Sequence, residues 1–131
     1  MVSRTASCQC GQLRIEVDGE PRAVGLCHCL ACQRRTGSVF GVQARFPKAG
    51  VAISGTSTQF VRTGDEGTRA TFGFCPACGS TVTYTLAGQE ETIVIPVGAF
   101  ADPRFPPPTV SVYEERMHAR VQLPAGIEHL A

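Results

Sequence analysis

The sequence contains no tryptophan and few aromatic residues, and its charges nearly balance. Twelve Lys and Arg residues stand against eleven Asp and Glu residues, so the formal net charge is +1. A chain without a broad basic field has little to attract phosphate groups, which argues against nucleic acid and anionic lipid as partners. Because 18% of the residues are charged and 43% are hydrophobic, the composition excludes a disordered chain and predicts a folded one.

Long apolar runs are also missing. No segment approaches the roughly 20 consecutive apolar residues that span a bilayer, and the first residues lack the apolar core of a secretory signal. We therefore expect a cytoplasmic protein without a membrane partner. At 131 residues the chain has the usual length of one domain, so we predict a single domain over residues 1–131.

Helical periodicity is scarce, whereas short β-rich runs recur along the chain and are separated by glycine and proline. One helix is predicted, at Leu30–Thr36, with Gly37 as its C-terminal stop. We therefore predict a mostly β, mostly antiparallel fold with one short helix. The predicted strands cover residues 13–17, 39–46, 51–54, 58–62, 68–74, 81–86, 92–97 and 110–113.

The seven cysteines fall into three clusters. An odd number cannot pair completely, and cytosolic thiols stay reduced, so metal binding is favoured over a disulfide framework. The clusters are Cys8-Gln9-Cys10-Gly11, Cys27-His28-Cys29-Leu30-Ala31-Cys32 and Cys75-Pro76-Ala77-Cys78-Gly79.

The first and third clusters share one design, because each contains two cysteines followed directly by glycine. A glycine there allows a positive φ that turns backbone N–H groups towards the thiolates. Structural zinc takes about four tetrahedral ligands, commonly thiolates, so we predict a structural site. Two alternatives stay open. The first cluster could share a metal with the middle cluster instead, or these cysteines could be small buried apolar residues that bind no metal. The predicted ligands are Cys8, Cys10, Cys75 and Cys78.

The middle cluster then supplies Cys27, Cys29 and Cys32. Three protein ligands with one open position are typical of catalytic zinc. His28 lies between two ligands, and alternate residues of extended backbone point to opposite faces. We therefore predict that His28 lies at the surface or beside the ligands without binding the metal.

Some other side chains could be mistaken for site residues. We expect His118 and His129 to be solvated or to pack, because neither has a metal-ligand partner at a recognisable spacing. Arg34 and Arg35 follow Cys32 and could bind a carboxylate, but adjacent helical residues cannot both face one ligand, so at least one should be solvated. The phenylalanines in strand-like runs are predicted to pack in the core. These are Phe40, Phe72, Phe74 and Phe100.

The pattern CxCG, CHCxxCQRRTG and FCxxCG, in this order, resembles the glutathione-dependent formaldehyde-activating enzyme family, over about residues 6–123. The resemblance implies a β-tent fold, in which antiparallel sheets are pinned by zinc, and two zinc ions per chain. It also implies roles for the ligands. Cys8, Cys10, Cys75 and Cys78 match the structural zinc ligands, and Cys27, Cys29 and Cys32 match the catalytic ones.

The same resemblance implies a carbon-sulfur lyase that joins glutathione to formaldehyde as S-hydroxymethylglutathione. We expect these small molecules as partners and leave a homodimer open. Methionine sulfoxide reduction would need a nucleophilic cysteine free of metal, and none follows Cys78. The alternative of a different class is a non-catalytic, zinc-stabilised binding or chaperone-like module, for which the structural zinc alone would suffice.

Overall fold

A computed structural model describes residues 2–64 and 66–130 of the chain, and these residues form two β-sheets and one α-helix. None of their helices is long and apolar enough to cross a membrane. The strands are β1 (Ser3–Ser7), β2 (Arg14–Asp18), β3 (Ala23–Cys27), β4 (Gly41–Pro47), β5 (Val51–Ser54), β6 (Thr58–Thr63), β7 (Arg69–Phe74), β8 (Thr81–Leu86), β9 (Thr92–Pro96), β10 (Val110–Val112) and β11 (Glu128–Leu130). The helix is α1 (Leu30–Thr36), and short 3-10 turns cover Lys48–Gly50, Val97–Phe100 and Glu114–Arg116.

The smaller sheet has the strand order β1-β2-β5, and the larger sheet has the order β11-β10-β3-β4-β9-β8-β7-β6. Neighbouring strands are antiparallel except at β10, which runs parallel to both β3 and β11. The predicted antiparallel pairing therefore holds through the rest of both sheets. Parallel neighbours need long connections, and the chain between β3 and β10 passes through α1 and six other strands.

The mostly β architecture with one short helix is confirmed. The strands predicted at 51–54 and 81–86 and the helix at Leu30–Thr36 have the predicted bounds. Strands β1, β3 and β11 were not predicted. Their sequences, SRTAS, AVGLC and EHL, are polar, contain a glycine or are very short. Such segments become strands because neighbouring strands pair with them rather than through their own propensity.

The core lies between the two sheets and follows the alternation of their strands. In β2, Ile15 and Val17 are fully buried while the residues beside them are exposed. Phe46 and Ile95 from the larger sheet are also fully buried, and the Phe100 ring lies 5.9 Å from that of Phe46. Each such side chain contributes about 1.5–3 kcal/mol of hydrophobic stabilisation. The core prediction is confirmed for Phe100.

Three of the phenylalanines that we expected in the core are half-buried and lie outside it. Phe72 packs against Tyr84, with ring centres 5.0 Å apart, and the rings of Phe40 and His28 form an edge-type pair with centres 6.2 Å apart. The core prediction is therefore wrong for Phe40, Phe72 and Phe74. A strand has two faces, and apolar residues on both faces cannot be assigned to the covered face from their spacing alone.

Helix α1 packs on the face of β4 that points away from the core. Ala44 and Phe46 of β4 point into the core, so Gly41 and Gln43 point to the opposite face. A Cβ built on Gly41 would lie 3.5 Å from Cys32 Cβ in the helix. That distance is an ordinary van der Waals contact, so the helix packs directly against this face of β4 at Cys32.

Candidate metal centres

The structure gathers the cysteines into two groups, which are called the first and the second cluster from here on. The first cluster combines the cysteine pairs that follow β1 and β7. The sulfur atoms of its four cysteines all lie within 4.8 Å of one another. The Sγ of Cys10 lies 3.6 Å from that of Cys8 and 3.7 Å from that of Cys75. Cys8 and Cys75 are buried and belong to the hydrophobic core. The structure therefore brings together the four residues predicted as one set, which are Cys8, Cys10, Cys75 and Cys78.

Two glycine turns shape this cluster. Gly11 has φ 87° and donates its backbone N–H to the Cys8 carbonyl at 3.1 Å. Gly79 has φ 81° and donates to the Cys75 carbonyl at 2.8 Å. Residues other than glycine rarely adopt a positive φ, so these turns explain why glycine follows each cysteine pair. A third donor, the Leu13 backbone N–H, points at Cys8 Sγ from 3.3 Å.

Hydrogen bonds favour the ionised form of two of these thiols. Gln12 donates Nε2–H to Cys75 Sγ at 3.0 Å, and this hydrogen bond is the main cause of the lowered pKa of Cys75. Hydrogen bonding with Ser80 is the main cause that lowers the pKa of Cys78 to about 5. The backbone N–H of Gln12 lowers the pKa of Cys10, but contact with the other thiols and burial outweigh it and raise that pKa to about 11. A bound cation would favour the thiolate form of Cys10.

The second cluster lies where β3 leads into α1. Cys27 is the last residue of β3, Cys29 caps the helix, and Cys32 lies in its first turn. Their sulfur atoms lie within 4.8 Å of one another, and all three residues are half-buried. The Cys29 Sγ accepts the Cys32 backbone N–H at 3.3 Å, so one sulfur serves as both cap and candidate ligand.

The three sulfurs strongly influence one another's protonation. Hydrogen bonds from Cys27 and then Cys32 lower the pKa of Cys29 to about 2, although burial acts against them. Hydrogen bonding with Cys29 is the main cause that raises the pKa of Cys27. A contact with Cys27 lowers the pKa of Cys32, but Cys29 and burial outweigh it, so that pKa is raised. Negative charge within the cluster therefore favours Cys29, and a bound divalent metal would favour the thiolate form of the other two cysteines.

Polar side chains of the sheet and helix surround Cys32. Gln43 is buried on β4, and its Nε2 lies 3.3 Å from Cys32 Sγ. In the reverse orientation of this amide, Nε2 would donate to the carbonyls of Gly41 at 3.1 Å and Gly25 at 3.3 Å. A thiolate favours the first orientation and a thiol the second, because a thiolate only accepts and a thiol can donate to Oε1.

His28 is fully buried, so of its two predicted locations the surface is wrong and the location beside the ligands remains. Its Nε2 lies 2.9 Å from the Ser111 Oγ of β10, and Nδ1 has no partner among the described residues. His28 does not join the metal-ligand groups of the described residues, which contain cysteine sulfurs only. The alternation that points Cys27 and Cys29 towards the cluster turns His28 into the protein, where β10 covers it.

The other two histidines are exposed and bind side chains. His118 Nε2 lies 2.9 Å from Gln33 Oε1, and His129 Nδ1 lies 2.6 Å from Glu114 Oε2. Neither histidine joins a metal-ligand group of the described residues, in agreement with the prediction.

Three residues near the second cluster were missed by sequence reasoning. Tyr84 is buried, with its pKa raised mainly by burial, and it packs beside Arg35. Tyr113 is 38% exposed and has φ 57°, an unusual conformation for a residue other than glycine. Glu66, then burial, then the charges of Cys27 and Cys29 raise its pKa. Gln43 is the third, and no local pattern marks any of them, because strand pairing brings them to the cluster.

Comparison with known proteins gives the family. The model of the family "Glutathione-dependent formaldehyde-activating enzyme" matches residues 3–116. The chain belongs to the glutathione-dependent formaldehyde-activating enzyme family. The resemblance carried by the cysteine motifs is thereby confirmed.

A solved structure supports the fold of this family member. It is a crystal structure of a Rhodobacter sphaeroides protein whose sequence is 21% identical to this chain. The superposition covers 76% of this chain and 92% of the Rhodobacter chain, with a TM-score of 0.59. At this identity the likeness concerns the fold alone. No curated protein sequence matches the chain significantly.

Proposed function

We propose that this protein is a zinc-dependent, carbon-sulfur lyase-like enzyme that joins glutathione, or a related thiol, to formaldehyde or a related aldehyde. The product with the first pair is S-hydroxymethylglutathione. One observation carries the proposal: three half-buried sulfurs, of Cys27, Cys29 and Cys32, converge without a fourth ligand among the described residues. Membership of the family supplies the two substrates.

The donor set of both clusters fits zinc. Thiolates select soft or borderline metals, and four of them form the usual closed site of a structural zinc. We assign that role to Cys8, Cys10, Cys75 and Cys78, and a second, catalytic zinc to the three-cysteine cluster. When bound there, zinc supplies a position that keeps a substrate thiol ionised and polarises an aldehyde oxygen.

The residues of the second cluster favour an addition reaction. Three cysteines leave one tetrahedral position open, and their partial exposure gives a small thiol access to it. The substrate thiol releases its proton to water, and its sulfur forms a bond to the carbonyl carbon. The electron pair of the C=O π bond moves to the oxygen, which then takes a proton from water. No group is oxidised or reduced.

The grouping of the cysteines suits a reducing compartment. All seven lie in clusters that could hold a metal, and cysteine binds metals as a reduced thiolate. We therefore place the protein in the cytoplasm, where thiols stay reduced and glutathione is abundant. We also propose that residues 1–131 act as one zinc-binding domain.

The direct test combines zinc content with kinetics. Protein loaded with one and then two equivalents of zinc is mixed with glutathione and formaldehyde, and exchange between free and hydroxymethylated glutathione is followed by NMR. The spontaneous rate is subtracted, because thiols add to formaldehyde unaided. We expect acceleration to appear with the second equivalent. A protein that binds one zinc per chain and gives no acceleration would favour a non-catalytic binding or chaperone-like module.

A further inference from the structure

The guanidinium of Arg35 lies beside the second cluster and is held by aromatic rings. Its central carbon lies 5.7 Å from the centre of the Phe72 ring and 5.6 Å from that of Tyr84. Its Nη2 lies 3.9 Å from Cys32 Sγ. Arg35 is half-buried, whereas Arg34 is exposed, as predicted for at least one of the two. The helix therefore presents one arginine to the cluster and the other to solvent.

Most donors of this guanidinium have no partner among the described residues. No side-chain carboxylate among residues 2–64 and 66–130 forms an ion pair with Arg35. Its contact with Cys32 Sγ, at 3.9 Å, is long for a hydrogen bond. A guanidinium has five N–H donors, and burial of a cation is costly unless an anion accompanies it. The arrangement therefore suits an anion that arrives with the substrate.

Distance indicates which part of a substrate Arg35 reaches. The three cysteine sulfurs lie within 4.8 Å of one another, so a substrate sulfur that completes their tetrahedron lies at a similar distance from Cys32 Sγ. Arg35 Nη2 lies 3.9 Å from the same Cys32 Sγ, so an oxygen two bonds from the substrate sulfur is within reach of Nη2 when both lie on the same side of Cys32. The carboxylates of glutathione are many more bonds from its sulfur. The position of Arg35 thus favours the aldehyde oxygen over a remote carboxylate.

We propose that Arg35 is a catalytic residue that binds the oxyanion formed when a substrate thiolate adds to an aldehyde, an inference that rests on the proposed function. As the S–C bond forms, the π electron pair moves to the oxygen, and guanidinium N–H groups donate to it until water protonates it. The planar fork offers two parallel donors to developing negative charge. Donors fixed before the reaction lower the energy of such a transition state.

The sheet prepares this position in two ways. Gly41 leaves room for the guanidinium, because a Cβ built there would lie 3.2 Å from Arg35 Nη2. The rings of Phe72 and Tyr84 restrict the side chain before any anion binds, which reduces the entropy lost on binding. Arg35 is therefore preorganised.

Cobalt(II)-loaded protein offers a test that does not depend on turnover, because a thiolate bound to cobalt gives a charge-transfer band. We would titrate it with three thiols. Ethanethiol has no carboxylate, mercaptoacetate has a carboxylate close to the sulfur, and 6-mercaptohexanoate has one far from the sulfur. The variants are Arg35→Gln, Arg35→Lys and, as the matched control, Arg34→Gln. The control removes the same charge from the same helix.

We expect the wild type to bind mercaptoacetate about tenfold more tightly than ethanethiol, since one hydrogen bond to a charged group strengthens binding by about that factor. Arg35→Gln should lose this preference and Arg34→Gln should keep it. If Arg35→Gln does not fold, a reduced preference in Arg35→Lys supports the proposal and an unchanged one overturns it. Retention of the preference in folded Arg35→Gln, or a wild-type preference for 6-mercaptohexanoate, would also overturn it.

Kinetics then separate this inference from the function on which it rests. Arg35→Gln should lower kcat for S-hydroxymethylglutathione formation roughly 100-fold, as loss of an oxyanion donor does elsewhere. Arg34→Gln should leave kcat within about twofold, as expected for an exposed side chain. A wild type that prefers mercaptoacetate but gives no acceleration would contradict the proposed function and still support the anion site.

Discussion

The first cysteine cluster joins two loops that are far apart in the chain, whereas the second lies entirely within residues 27–32. Cys10 and Cys75 are 65 positions apart, and two cysteines of the first cluster are packed in the core. The cysteines of the second cluster are all half-buried beside a cationic side chain. The same ligand type therefore occurs in two settings, one inside the fold and one open to small molecules.

This difference suits the first cluster to stabilising the fold and the second cluster to binding a substrate. A metal that connects distant segments opposes the entropy of a long loop, and the cost of closing a loop grows with its length. A metal held by neighbouring residues closes almost no loop, so we expect its loss to leave the sheets intact. Four ligands saturate a tetrahedral ion, whereas three leave a position for substrate. The predictions below test this division of roles, from the largest expected effect to the smallest.

The largest effect should follow loss of a ligand from the first cluster. We expect Cys75→Ala to abolish cooperative unfolding, because binding of a structural zinc contributes directly to the free energy of folding. Scanning calorimetry and zinc analysis check this. The control is Gln9→Ala, which changes an exposed residue between Cys8 and Cys10 and removes no sulfur. An unfolding free energy within about 0.5 kcal/mol of the wild type would refute the structural assignment.

A ligand lost from the second cluster should remove activity and leave the fold. We expect Cys32→Ser to lower bound zinc from two to about one per chain, because a serine hydroxyl is a much weaker zinc ligand than a thiolate. The rate should fall to the spontaneous background, with an unfolding midpoint close to that of the wild type. Ala31→Ser serves as the control, since it adds a hydroxyl next to Cys32 and keeps the sulfur. Full activity in folded Cys32→Ser would contradict a catalytic zinc.

A smaller effect should follow crowding beside the second cluster. In Gly41→Ala the new Cβ would lie 3.2 Å from both Arg35 Nη2 and Gln43 Nε2, so both side chains must shift. We expect kcat to fall roughly tenfold with zinc content unchanged, because small misplacements of catalytic groups are costly. Gly98→Ala is the matched control, as nothing lies within 4 Å of a Cβ there. Equal kcat values for the two variants would show that the space at Gly41 is unimportant.

The smallest effect concerns Glu114, in the 3-10 turn that follows β10. Hydrogen bonding with Ser111, and then with His129, lowers the pKa of Glu114 below its ordinary value of 4.5. A lowered pKa in the folded state stabilises the fold above pH 4.5, and this contribution disappears as the pH falls through the folded pKa. Glu114→Gln should therefore be less stable than the wild type at pH 7, with a smaller difference at pH 4. Thermal midpoints of both proteins at both pH values test the sign, and a difference that grows on acidification would refute it.

The two cysteine pairs of the first cluster were recognisable in the sequence because each turn is local. Gly11 and Gly79 follow their cysteine pairs directly and adopt the positive φ expected of them. Helix α1 was predictable for the same reason, since its cap at Cys29 and its stop at Gly37 are adjacent in the chain. Short-range geometry decided all of these features.

The surroundings of the second cluster could not be predicted, because strand pairing creates them. Arg35 meets Phe72 and Tyr84 across strands that are far away in the sequence. The burial of His28 depends on Ser111, 83 positions later, which β10 brings alongside β3. Alternation along one strand shows which residues share a face, but not which element covers that face.

The parallel pairing of β10 with β3 has a consequence for the order of assembly. Cys27, Cys29 and Cys32 leave the ribosome together, so their sulfurs are available to a metal long before β10 exists. The strand that ends at Cys27 gains its outer neighbour only near the end of synthesis, when Ser111 reaches His28. Contacts of such high sequence separation form late and slowly. During synthesis there is therefore a period in which Cys27, Cys29 and Cys32 are all present, while β10, which later covers His28, is not.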